Sequence, residues 1–133
     1  MSKVILLELN EVPYKVFIDS FEKRMYKRTK LENLKYTPTI SRDSGELSPW
    51  ITWPTLHRGV TNKVHKIEDI NQNVNEIDSK YPTIMSRLSS EGYKVGVFAS
   101  MHSGSVDQSD FDDYCFFVPE AFAKNEICKP ETV

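Results

Sequence analysis

Apolar residues in this chain fall in short runs, separated by polar stretches marked with proline and glycine. The first run, Lys3 to Leu9 (KVILLEL), is almost continuously apolar, with β-branched Val4 and Ile5 beside three leucines. A run so short and unbroken predicts a strand buried on both faces, as in a parallel sheet. Asn10, Glu11 and Pro13 end it. From Tyr14 the pattern changes: in YKVFIDSFEKRMYK, Val16, Phe17, Phe21 and Met25 recur near helical period. Lys35 to Ser48 holds Pro38, Asp43, Ser44 and Gly45 and reads as loop, with at most a short strand at Gly45–Leu47.

Pro49 to Arg58 predicts a short helix ended by Gly59 at its C-cap. Pro54 stands against it, because a mid-helix proline removes a hydrogen bond and crowds the preceding turn. A helix that begins late, with Thr52 as N-cap and Pro54 in its first turn, resolves the conflict. Val60 to Lys80 is polar, rich in Asn and Asp, and reads as mostly loop. After it, Ile84, Met85 and Leu88 share one helical face, Gly92 stops that helix, and Tyr93–Ser100 (YKVGVFAS) reads as a strand. Helix, glycine turn and strand make the second half of a βαβ unit, whose crossover is right-handed. A further strand runs from Tyr114 to Val118 and is closed by Pro119. The alternation predicts an α/β sheet with helices on both sides.

Composition narrows the function classes. The length, 133 residues, is one domain's worth of chain, and a net charge of −2 offers no basic field for nucleic acid. The basic cluster from Glu22 to Lys30 reads as a solvated face. Two cysteines without CxxC spacing, Cys115 and Cys128, argue against a disulfide framework or a structural zinc site. The apolar start is too short for a membrane span or a signal sequence, so a cytoplasmic location is expected.

Three places could carry chemistry. At the end of the first run Glu8, Asn10 and Glu11 offer oxygen ligands suited to a divalent metal, or a polar strand terminus with Asn10 capping the next helix. In SPWITWPTLHRG, Ser48, Thr52 and Thr55 are hydroxyl nucleophile candidates near a helix N-terminus, where N–H groups and the helix dipole favour a phosphate or sulfate. The plain alternative is that Ser48 or Thr52 only caps the helix. Among the histidines, His65 lies beyond Gly59 in polar loop, and His102 follows a strand at its carboxyl end, where ligands gather in parallel sheets.

In order, VILLELNEVP, ITWPTLHRGVTNKVHKI and IMSRLSSEGYKVGVFAS resemble the start of an alkaline-phosphatase-superfamily domain, in its type I phosphodiesterase/nucleotide pyrophosphatase and sulfatase-like branch. The resemblance spans most of Lys3 to Ser100. It implies a single incomplete domain over residues 1–133, the first half of a three-layer α/β/α sandwich with a mostly parallel sheet. It further implies a metal-dependent hydrolase of phosphate or sulfate esters, with Zn²⁺ or Mn²⁺ as cofactor and a small-molecule ester as partner. The implied roles are Asn10 and Glu11 at the metal and Thr52 as nucleophile, with Ser48 as the alternative. Thr52-Trp53-Pro54 resembles the family's TFP motif, while the family's ten-residue spacing back from Gly59 lands on Pro49, beside Ser48. Departures are plain: Asn10 stands where the family has Asp, Glu11 where Gly is usual, and Lys66 replaces the glycine of a PxxHG turn whose histidine is His65. The Asp and His ligands of the family's later segments have no counterpart after Ser100. The alternative expectation is a non-catalytic remnant or interaction module that self-associates through an open sheet edge.

Overall fold

A computed structural model describes residues 3–20, 37, 39–102, 114–120 and 128. Its contacts divide the chain into two compact units, Met1–Ile40 and Ser41–Val133.

In the first unit, α1 covers Tyr14–Ser20, and Phe17 N–H donates to Pro13 O at 3.0 Å to open it. Val16 is exposed, and Phe21 and Met25 lie outside the described residues. The expected strand at Lys3–Leu9 is not there: the segment has no regular secondary structure, and Val4 and Ile5 are each 91% exposed. Strand hydrogen bonds are made to a neighbouring strand, and among the described residues none pairs with this segment.

The second unit is a small α/β assembly. Its helices are α2 (Pro49–Arg58), α3 (Asn62–His65), α4 (Asn75–Lys80) and α5 (Ile84–Ser90), and its strands β1 (Val95–Phe98) and β2 (Tyr114–Val118). Two short helices, α3 and α4, thus occupy the stretch expected to be loop, while Gly45–Leu47 forms no strand. The strands pair in parallel, and Ala99 N–H extends the ladder to Val118 O at 2.8 Å. Val95 faces Tyr114 but Gly96 faces Phe116, so the register slips by one residue at Cys115. Such a bulge turns later side chains to the other face. Tyr114 and Phe117, three apart, are therefore both buried, and with Met85 and Val97 they form the core cluster.

Local chemistry explains α5 and its exit. Thr83 is its N-cap, accepting from Ser86 N–H at 3.2 Å. At the other end Gly92 adopts φ 82°, its N–H donates to Ser89 O at 2.8 Å, and Tyr93 N–H donates to Leu88 O at 3.0 Å. This paired arrangement needs a left-handed residue, which glycine adopts without steric cost. It also engages Tyr93, so the strand opens at Val95 rather than at the turn. Of the expected apolar face only Met85 is buried; Ile84 and Leu88 remain exposed. No helix among the described residues is long and apolar enough to cross a membrane.

Candidate functional site

Helix α2 settles where its three candidate hydroxyls lie. Ser48 is the N-cap, with extended backbone at φ −123° and ψ 162°, and Pro49 takes the first helical position, where its missing N–H costs nothing. The late start at Thr52 is thereby corrected. Pro54 sits inside the helix and leaves the Trp50 carbonyl without its usual donor, a cost offset in part by full burial of its ring. Gly59 closes the helix at φ 69°, with its N–H on Thr55 O at 2.9 Å.

Thr52 lies one turn into α2, and its Oγ1 donates to Ser48 O at 3.1 Å. Ser48 differs. Its Oγ caps no backbone N–H, and it is buried with no hydrogen-bond partner among the described residues.

One turn further on, a polar network ties α2 to its surroundings. Ile67 N–H donates to His65 Nδ1 at 2.9 Å, so Nδ1 carries the lone pair and the neutral ring is protonated on Nε2. That Nε2–H meets Thr55 Oγ1 at 2.9 Å, and the Thr55 hydroxyl donates to Asp43 Oδ1 at 2.8 Å. Asp43 Oδ1 also accepts Asn62 N–H at 2.6 Å, and Oδ2 accepts the Ser41 hydroxyl at 2.6 Å. Burial alone would raise the Asp43 pKa, but hydrogen bonds from Ser41, Asn62 and Thr55 outweigh it and hold the carboxyl below its ordinary value. Burial likewise pushes His65 down, against the attraction of Asp43 and helped by repulsion from Arg58.

A second cluster forms where the C-terminal end of α2 meets the carboxyl end of β1. The buried Arg58 guanidinium donates from Nε and Nη2 to Asp78 Oδ1, and from Nη1 to His102 O at 3.1 Å. His57 stacks on Trp53 with ring centroids 6.0 Å apart, and its Nε2 lies 3.4 Å from Ser100 Oγ. His102 is 8% exposed, and burial, then Arg58 and His57, push its pKa down to about 4. The sequence singles out His65 and His102, but neither Asp43, Arg58 nor Asp78. Their partners are 12 to 44 residues away, beyond any local pattern.

Asn10 and Glu11 occupy an exposed turn in the other unit, with Glu11 at φ 55°. One amide and one carboxylate do not by themselves fit a divalent ion, which takes about six oxygen ligands. Among the described residues no group of three His, Cys, Asp or Glu side chains could hold a metal. No protein-family model, curated protein or solved structure matches the chain.

Proposed function

We propose that the chain carries the nucleophile segment of a phosphate- or sulfate-ester hydrolase, with Ser48 as the attacking hydroxyl. One observation carries the reading. Ser48 occupies the N-cap of a ten-residue helix, yet its Oγ makes no cap bond, so capping does not account for that side chain. Thr52 is engaged with the Ser48 carbonyl and has a local structural role. The dipole at the start of α2 favours the anionic ester beside Ser48. In the reaction, Ser48 Oγ bonds to phosphorus or sulfur, the ester's alcohol departs, and water later cleaves the serine ester. The backbone at Lys66 adds support: it is left-handed at φ 58°, a conformation that favours glycine, the residue the resemblance expects there.

The test is release of nitrophenol from bis(4-nitrophenyl) phosphate and 4-nitrophenyl sulfate, with and without Zn²⁺ or Mn²⁺. Turnover should vanish in Ser48→Ala and persist within a few-fold in Thr52→Val, and intact mass should show a phosphoryl or sulfuryl adduct on Ser48. Absence of turnover under every condition, or turnover unaffected by Ser48→Ala, overturns the reading.

A second reading, a self-associating interaction module, draws on the exposed run Val4, Ile5, Leu6 and Leu7 and on Phe98 in β1, 73% exposed. Apolar strand-forming segments of this kind pair with other chains. It expects concentration-dependent association in sedimentation, abolished by Ile5→Lys. A monomer at high concentration rejects it.

A further inference from the structure

The hydroxyl of Thr55 joins three segments that are otherwise separate in sequence: the loop at Ser41–Ser44, the middle of α2, and the α3 turn at His65–Ile67. Asn62 doubles the link, accepting Ser44 N–H at 3.2 Å on Oδ1 and donating from Nδ2 to Ser44 O at 2.7 Å. Every hydrogen bond on the His65 ring has its direction set by a backbone group. Ile67 N–H has nothing to give but a proton, so Nδ1 must accept; Nε2 must then donate to Thr55.

We infer that the Asp43–Thr55–His65 network is an acid-released latch: a proton on His65 Nδ1 frees the Ser41–Ser44 loop and the Ile67 turn from α2 while the β1–β2 sheet stays folded. This inference does not rest on the hydrolase reading. Protonation puts an N–H on Nδ1 directly against the Ile67 N–H, turning a hydrogen bond into a contact between two donors. His65 is 1% exposed and Ile67 0%, so water reaches neither group unless the turn opens. The charged groups around the ring decide the balance. Asp43 attracts the imidazolium, but through the intervening Thr55; Arg58 of α2 repels it. His102 at the end of β1 adds repulsion once it is charged. Burial is the largest influence on the ring and favours its neutral form. The core side chains behind the sheet, Met85, Val97, Tyr114 and Phe117, carry no group that titrates between pH 4 and 8.

The experiment is amide exchange by NMR from pH 7.5 to 4.5, expressed as protection factors to remove the intrinsic pH dependence. Protection of Ile67 and Asn62 should fall at least tenfold more than that of Ala99, bonded to Val118, as pH drops. The ¹⁵N spectrum of His65 at pH 7.5 should show the Nε2–H tautomer. His102→Gln should keep the acid response, and His65→Gln should lose it. A Nδ1–H tautomer, parallel loss of protection at Ile67 and Ala99, or an unchanged acid response in His65→Gln overturns the latch. Should His65→Gln not fold, the tautomer and the Ile67–Ala99 comparison in the wild-type chain decide the question alone.

Discussion

Thr55 Oγ1 and Asp43 Oδ1 meet at 2.8 Å across 12 residues of sequence, and the bond fastens an exposed loop to the middle of α2. Thr55→Val keeps the shape but removes both the donor to Asp43 and the acceptor for His65 Nε2–H. Leaving these groups unmatched should cost about 1–3 kcal/mol in urea unfolding. Thr55→Ser, which keeps the hydroxyl, should cost clearly less. Equal losses for the two variants would show that the methyl group, not the hydroxyl, is what matters.

Gly96 faces Phe116 across the sheet, and the Phe116 ring occupies the space that a Cβ at position 96 would need. Gly96→Ala therefore overpacks the β1–β2 contact and should destabilise by about 1–3 kcal/mol in thermal or denaturant unfolding. In a Phe116→Ala background the same substitution should cost little, and a double-mutant cycle measures the difference.

Arg58 holds its charge in a fully buried side chain against Asp78, which is 20% exposed. Asp78→Ala strands the guanidinium and should cost about 3 kcal/mol in unfolding free energy. Asp78→Asn keeps an acceptor oxygen and should fall between wild type and Asp78→Ala.

Lys66 adopts φ 58° at the C-cap of α3, a conformation that costs a side-chain-bearing residue about 1–2 kcal/mol. Lys66→Gly removes that strain at some expense in unfolded-chain entropy, so a net gain of about 0.5–1 kcal/mol is expected from the melting temperature. A loss on substitution would mean that the Lys66 side chain contributes more than its backbone costs.

His102 supplies a pH dependence with a definite sign. Its pKa is pushed down to about 4 in the folded chain, whereas an unfolded histidine titrates near about 6.5. Between these values the unfolded state binds more protons, so the folded state loses stability as pH falls from about 6.5 through about 4. The melting temperature should decline over that window, and His102→Gln should flatten the decline. An unchanged profile in His102→Gln would assign the acid response to other groups.

Much of the second unit is legible from neighbouring residues. Gly59 closes α2, Gly92 turns the chain out of α5, and Tyr114–Val118 forms a strand with the expected bounds. Each depends on capping or strand propensity, which act within about one turn of the residue concerned. The interior position of Pro54 is the exception, since burial in the assembled unit holds a helix that local rules would have begun later.

Sequence alone thus determined the glycine ends of α2 and α5 and the two strands of the second unit, because short-range backbone chemistry specifies them. Tertiary structure alone decided that Lys3–Leu9 forms no strand among the described residues, since a strand needs a partner strand that its own residues do not supply. It also decided which hydroxyl is engaged and which is not. Thr52 turns back to the Ser48 carbonyl, Thr55 reaches Asp43 and His65, and Ser48 Oγ is left buried without a partner among the described residues. All three hydroxyls look alike in sequence. Only the packing around α2 gives each a different set of neighbours.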